Sequence, residues 1–206
     1  MPLSSPVARQ KLHTRTIVIE GYERDDQLFD VEAHLTDTKT MEVDNEDSGM
    51  LAPGLPLHEM WVRLTFDDRM TIVAAEACTD HGPYRHCGDA AVSYERLVGL
   101  RIRAGFLREA NSRMAGPTGC THLREMLQEI ATTALQTMWP AKARRIAAAR
   151  VGMPDDAEFE AKARAAEAKE AGQMVDSCIA YAANGPVVQK RWPALYTGAA
   201  AAERVG

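Results

Sequence analysis

The stretch that decides the fold spans residues 121–138 and reads THLREMLQEIATTALQTM. Its apolar residues recur at intervals of three and four, the spacing that lines one face of an α-helix. Thr121 is a favourable N-cap residue and Trp139-Pro140 follows the stretch, so we predict one long helix between these points. Because an amphipathic helix must bury its apolar face, we expect it to pack on a sheet formed by other parts of the chain.

The sheet is predicted upstream of this helix, where apolar and polar residues alternate. A period of two marks residues 15–20, 28–36, 60–66 and 70–75 as half-buried strands, joined by short polar turns into two hairpins. Residues 40–57 are acidic and rich in Gly and Pro, so we predict a long loop between the hairpins. Four antiparallel strands are therefore expected.

Strands first and helices later are typical of the α+β class, and we predict an antiparallel sheet of about four or more strands covered by helices. Residues 141–172 are rich in Ala, Glu, Lys and Arg, which predicts exposed helices joined at Gly152-Met153-Pro154. A last helix is predicted over Val175–Ala182. The chain is thus expected to contain an α+β core domain, 1–140, and a helical C-terminal extension, 141–206, packed on that core.

The composition of the 206 residues argues against several classes of protein. Apolar residues make up 46% and charged residues 26%, a balance typical of soluble globular chains. The net charge of −5 leaves no basic excess for nucleic acid, and no apolar stretch is long enough for a membrane span or a secretory leader. We expect a cytoplasmic protein whose four cysteines are thiols, because they form no Cys-x-x-Cys pair.

The most informative polar cluster, Gly119-Cys120-Thr121-His122, lies where a glycine-containing loop enters the long helix. Unpaired backbone N–H groups and the helix dipole at such a point favour the thiolate of a cysteine and the neutral form of an imidazole. A reactive thiol and an imidazole base are therefore predicted here. The alternative is a structural helix start, in which Cys120 is a small buried side chain and His122 only packs or caps.

A polar loop, 78–88, carries further chemically active side chains, namely Asp80, His81, Tyr84, His86 and Cys87. Together with Cys120 and His122, this loop could supply Cys and His ligands to zinc. The His86-Cys87 adjacency does not match the usual spacing of structural zinc ligands, so we expect no metal. No glycine-rich phosphate loop, His-Glu-x-x-His or Gly-x-Ser-x-Gly motif occurs, and we expect no nucleotide and no cofactor.

The second predicted strand places Asp30, Glu32 and His34 on one face. That face is either the wet side of the hairpin or, if a helix covers it, a pocket wall whose desolvated carboxylates act as acid and base. His58, just before the strand of residues 60–66, is a further single candidate. Its alternative is a histidine in a surface loop.

Several strings stand out beyond these clusters. They are Gly21-Tyr22, Leu28-Phe29-Asp30-Val31-Glu32-Ala33, Tyr84-Arg85-His86-Cys87, Gly119-Cys120-Thr121-His122-Leu123, Asp176-Ser177-Cys178, Gly185-Pro186 and Trp192-Pro193. Together, from about Arg15 to Trp192, they resemble a proteobacterial family of unknown function that is marked by the Gly-Cys-Thr-His-Leu string. Some relatives are associated with the bacterial breakdown of lignin-derived aromatic dimers, as cofactor-independent lyases that release formaldehyde from a hydroxymethyl side chain. The resemblance implies the same activity here.

Such a lyase needs a base, an acid and an aromatic-lined pocket that excludes water. The residues predicted to transfer protons are His122, Asp30, Glu32 and Tyr84. The residues predicted to bind the substrate are Arg15, Arg63, Cys120 and His58, with an arginine steadying a phenolate. This hypothesis requires His122 and the strand carboxylates to face one largely dry pocket.

Two alternatives stay open on the sequence, a non-catalytic ligand-binding or regulatory domain and a small zinc protein. As partners we expect a small aromatic substrate, no nucleic acid and no membrane. The Ala/Glu/Lys-rich region with Trp139 and Trp192 could bury its apolar residues against a second copy, which predicts a homodimer.

Overall fold

The computed structural model describes residues 4–47, 49–149, 161, 172 and 174–198. The chain divides into two compact units, Met1–Ala148 and Ala149–Gly206. Within the described ranges, no helix has the length and apolar character needed to cross a membrane.

The first unit is built on a four-stranded antiparallel sheet. Its strands are β1 (His13–Glu23), β2 (Phe29–Lys39), β5 (Pro56–Phe66) and β6 (Ile72–His81), in the order β1-β2-β5-β6. The two predicted hairpins are confirmed. The segment predicted as a long loop instead contains a small two-stranded ribbon of β3 (Val43–Asn45) and β4 (Gly49–Leu51).

Helical segments follow the sheet in the chain. They are a 3-10 segment, Arg85–Leu97, and two α-helices, α1 (Phe106–Arg113) and α2 (Thr121–Ala149). The prediction that α2 ends at Trp139-Pro140 is wrong, because the helix continues through Pro140. Ala141 is only 1% exposed and belongs to the same core as the preceding turns, so burial continues past the proline.

The core lies between one face of the sheet and the helices. Along β2, Phe29, Val31, Ala33 and Leu35 are fully buried, whereas the residues between them are only partly buried. The apolar stripe of α2 is buried against the same core through Leu123, Met126, Leu127, Ile130, Ala134 and Met138. An α+β fold is therefore confirmed, and the period-two pattern of β2 decides which of its side chains face α2.

The second unit is described over residues 174–198. It contains a 3-10 turn, Ile179–Tyr181, a short helix α3 (Pro186–Arg191) and a 3-10 turn, Pro193–Leu195. Val188 and Trp192 form its small buried cluster. The helix predicted over Val175–Ala182 is absent, because Asp176 has a left-handed φ of 63° that interrupts a right-handed helix. The predicted helices joined at residues 152–154 lie outside the described residues.

Candidate functional site

Three polar side chains on adjacent strands form one row across the sheet. Arg15 of β1 is paired with Asp37 of β2, and Asp37 is paired with His58 of β5. Asp37 continues the odd-numbered series of β2 that faces the core, and it is 1% exposed. Period-two geometry therefore places a charged row on the helix-facing side of the sheet, at the end of the apolar core.

The carboxylate of Asp37 is the centre of this row. Arg15 donates to it through two nitrogens, Nε to Oδ1 at 2.8 Å and Nη2 to Oδ2 at 2.7 Å. His58 Nδ1 lies 3.0 Å from Oδ2, and His13 Nε2 lies 3.1 Å from Oδ1. Each carboxylate oxygen thus has two nitrogen partners, which compensates for the loss of water on burial.

These contacts keep Asp37 ionised. Burial alone raises the pKa of Asp37, but the hydrogen bonds and charge of Arg15, together with the charges of His58 and His13, outweigh it and lower the pKa below its usual value. In return, the hydrogen bond to Asp37 raises the pKa of Arg15. The pair is therefore a fixed carboxylate and guanidinium at neutral pH.

The two imidazoles of the site lie against each other. The rings of His58 and His122 have centroids 3.9 Å apart and are tilted by 34°. Burial lowers the pKa of His58, and the neighbouring His122 lowers it further against the opposing effect of Asp37. An ionised carboxylate only accepts hydrogen bonds, so Nδ1 of neutral His58 carries the proton and Nε2 keeps its lone pair. His58 is consequently arranged as a proton acceptor.

The start of α2 brings His122 to this row. Because α2 begins at Thr121, the N-cap position falls to Cys120, whose carbonyl accepts from the Arg124 N–H at 3.1 Å. Cys120 is half-buried, and its Sγ lies 3.9 Å from Nδ1 of His122. One turn into the helix, Glu125 binds Nη1 of Arg15 at 2.6 Å. The helix start is thus tied to the sheet through Arg15.

Gly119 allows the chain to enter α2 at this place. A Cβ atom at this position would collide with the backbone carbonyl oxygen of Met114, which cannot rotate away. The glycine of the Gly-Cys-Thr-His string is therefore a steric requirement, and it fixes where Cys120 and His122 begin the helix.

Asp37, His58 and His122 could also hold a metal ion, since each offers a ligand atom within 4.8 Å of the others. In the part of the chain that the structure describes, no second group of His, Cys, Asp or Glu residues meets this criterion, so the predicted zinc alternative with loop 78–88 is not formed. A cation at the cluster would compete with Arg15 for the carboxylate oxygens, both of which already have two partners. The geometry therefore favours proton chemistry.

The structure brings together only half of the residues predicted from the sequence. Arg15, His58, Cys120 and His122 lie in the cluster. Tyr84 is 55% exposed just before the 3-10 segment Arg85–Leu97, and no hydrogen bond among the described residues joins it to His122.

The predicted pocket shared by His122 with Asp30 and Glu32 is not formed. Both acids occupy even-numbered positions of β2, and these positions face away from α2. There Asp30 accepts from Thr65 Oγ1 at 2.6 Å, and Glu32 accepts from Arg63 Nε at 2.7 Å. Arg63 is therefore also outside the cluster, on the face of the sheet opposite α2.

Three residues of the cluster were not predicted from the sequence. They are the central Asp37 and two of the residues around it, His13 and Glu125. A signal for Asp37 exists in the sequence, because it follows Phe29, Val31, Ala33 and Leu35 at the same period of two. A carboxylate that continues an apolar series must be buried and partnered, which marks it as a candidate for a functional role.

A known protein family matches the part of the chain that contains the candidate site. No curated protein matches the sequence, and no solved structure matches it. A family described as "Protein of unknown function (DUF2889)" matches residues 13–136, more than half of the chain. That range begins at His13 and includes every residue of the cluster through Glu125. The chain therefore belongs to the DUF2889 family of proteins of unknown function.

Proposed function

We propose that this protein is a cytoplasmic, cofactor-independent lyase that releases formaldehyde from a hydroxylated, lignin-derived aromatic compound by acid–base chemistry. The activity itself is suggested by the sequence resemblance, but the acid–base groups proposed for it are now His58 and His122 beside Asp37, because Asp30 and Glu32 lie on the other face of the sheet. The observation that supports it in the structure is the contact between two imidazoles, His58 and His122, above the buried and ionised Asp37. Two imidazoles in contact offer a proton acceptor and a proton donor within one site.

The proposed reaction needs both groups. A base removes the proton of the substrate's hydroxymethyl oxygen, and the bond from that carbon to its neighbour breaks to give formaldehyde. The electron pair of the broken bond forms a carbon–carbon double bond and expels the oxygen on the next carbon. An acid protonates that leaving oxygen. Atoms and electrons balance without an external oxidant or reductant, so acid–base groups alone suffice.

The geometry suggests separate roles for His58, as the base, and His122, as the acid. His58 is neutral and directs Nδ1–H to Asp37, which suits it to accept the first proton at Nε2. His122 is less buried than His58 and lies against its ring, which suits it to meet the leaving oxygen as the acid. Asp37 and Arg15 act as positioning residues, because they hold the tautomer and orientation of His58.

A pair of matched histidine variants tests the proposal. The substrate is a phenolic dimer in which one carbon bears the hydroxymethyl group and the adjacent carbon bears an aryl ether, and the products are formaldehyde and a conjugated alkene followed by absorbance. His122→Gln should lower turnover roughly 100- to 10,000-fold, the usual contribution of a general acid or base. His34→Gln is the control, because His34 stacks on Trp61 on the opposite face of the sheet.

Three results would contradict the proposal. Full activity of a folded His122→Gln variant would show that His122 is not the acid of the reaction. Tight binding of the dimer without formaldehyde release by the wild-type protein would favour a ligand-binding domain. Loss of activity after dialysis against a chelator, restored by zinc, would show that the reaction depends on a metal.

A further inference from the structure

One edge of the sheet is open. In the described ranges, β1 is paired only with β2, although it extends over 11 residues. Nine of those residues are exposed, and the middle of the strand is apolar, with Val18 at 49% and Ile17 at 36% exposure. An exposed, long strand with an apolar centre is a surface that natural proteins normally protect or cover.

The opposite edge of the same sheet, formed by β6, is hydrogen-bonded at its start to another part of the chain. At the start of β6, the Ile72 N–H donates to Leu100 and the Ile72 carbonyl accepts from Gly99, both at 2.8 Å. A later part of the chain thus covers the start of that edge. β1 has no such cover in the described residues, and it contains no proline and no register shift against β2 that would bend it away.

The hydrogen bonds of β1 show which backbone groups are unused. The Thr40 N–H donates to the Leu12 carbonyl at 3.3 Å, and the register of the hairpin continues this pairing from His13 opposite Lys39 to the end of β1. Backbone groups of even-numbered residues therefore point to β2, and those of odd-numbered residues from 13 to 23 point outward. These outward N–H and carbonyl groups form a regular row to which another strand could bind by hydrogen bonds.

We propose that β1 is the interface of a homodimer, in which β1 of a second copy pairs with it in antiparallel orientation about a two-fold axis at Val18. Val18 is the middle residue of the strand, so this register uses all its outward groups and joins two sheets into one of eight strands. Lys11, His13 and Arg15 precede the centre, whereas Glu20 and Glu23 follow it. Antiparallel pairing therefore sets the basic half of each strand beside the acidic half of the other, with His13 directly opposite Glu23, whereas parallel pairing would set like halves side by side. Within its own copy, Glu23 also binds Arg144 and Arg145, and Arg15 also binds Asp37 and Glu125.

The proposed dimer reaches the candidate site. The register places His13, which contacts Asp37, opposite Glu23 of the partner subunit. The second copy would thus border the edge of the site that carries His13 and Arg15. This inference does not depend on the reaction proposed above.

Sedimentation velocity over a range of protein concentrations, with matched lysine variants, tests the interface. Wild-type protein should be dimeric. Val18→Lys places two ammonium groups against each other at the axis and should yield a folded monomer, with folding checked by circular dichroism. Val73→Lys is the matched control, because Val73 is 44% exposed on β6, the other edge strand, and this variant should stay dimeric.

Cross-linking tests the register even if Val18→Lys fails to fold. At the axis the two copies of residue 18 form a non-hydrogen-bonded pair, with Cα atoms about 4.5 Å apart, which suits a disulfide. Val18→Cys should form a covalent dimer on oxidation, above the background of the wild-type cysteines and of Val73→Cys. A wild-type protein that is monomeric at every concentration, or a Val18→Cys variant without this cross-link, would overturn the proposal.

Discussion

At the scale of single residues, Asp37 shows how a charge can be buried in this fold. Its side chain is 2% exposed, yet the hydrogen bonds and charge of Arg15, with the two nearby histidines, lower its pKa despite burial. A buried carboxylate without such partners would take up a proton or destabilise the protein. The ion pair therefore matters mainly because Asp37, without Arg15, would be left buried with fewer partners for its oxygen atoms, whereas Arg15 is one-third exposed and also binds Glu125.

Two arginine variants test whether the buried ion pair of Asp37 contributes more to stability than an exposed ion pair does. Arg15→Met removes two of the hydrogen bonds to Asp37 and should lower the free energy of unfolding by about 1–3 kcal/mol, the cost of leaving a buried polar group unsatisfied. Arg63→Met breaks an ion pair with the partly exposed Glu32 and should cost about 0–1 kcal/mol. Urea denaturation measures both values. Equal losses for the two variants would show that burial does not distinguish these ion pairs.

At the scale of elements, the approach of α2 to β1 depends on one glycine. A Cβ atom at Gly21 would lie 2.9 Å from Cβ of Thr137 and would collide with its hydroxyl oxygen. Thr137 donates to the Thr133 carbonyl at 2.8 Å, so its side chain is held against the helix. The absence of a side chain at residue 21 therefore sets how closely the helix packs on the strand.

Adding one methyl group at this contact should separate the two elements. Gly21→Ala is expected to lower the free energy of unfolding by about 1–3 kcal/mol, as overpacking does in other cores. The matched control is Gly88→Ala, because a Cβ there meets nothing within 4 Å, and it should change stability by less than about 0.5 kcal/mol. If Gly21→Ala is as stable as the wild-type protein, the close approach does not constrain the packing of α2.

At the scale of the whole molecule, the site links the stability of the fold to pH. Burial and His122 keep the pKa of His58 below 6.5 in the folded protein, against the opposing effect of Asp37, with Arg15 also nearby. On unfolding, the pKa returns toward 6.5, so below that pH the unfolded chain binds more protons than the folded protein. Stability is therefore complete above about pH 6.5 and decreases as the pH falls toward the pKa of folded His58.

Chemical denaturation across a pH series should show this dependence. The free energy of unfolding of the wild-type protein should fall as the pH is lowered from about 6.5, and His58→Gln should give a flatter curve in that range. A second loss is expected at lower pH, below 3.8, where Asp37 takes up a proton in the unfolded chain before it does so in the folded protein. Identical curves for both proteins near pH 6 would contradict the assignment of this effect to His58.

Much of the fold could be predicted because local patterns were consistent with it. Alternation marked all four strands of the main sheet, and the stripe after residue 121 marked α2. The end of α2 could not be predicted from Pro140, because burial of Ala141 in the core outweighs the local preference of proline to end a helix. Each strand of the β3–β4 ribbon has only three residues, too few to give a periodic signal.

By itself, the sequence determined the α+β class, the two hairpins, the long amphipathic helix and the cysteine and histidine at the entrance of that helix. Only the tertiary structure decided which face of β2 the helix covers, and with it whether Asp30 and Glu32 or Asp37 would meet His122. The physical reason is that period-two alternation separates two faces without identifying their neighbours. The pairing of Arg15, Asp37 and His58 across three strands follows from register, which depends on residues far apart in the chain.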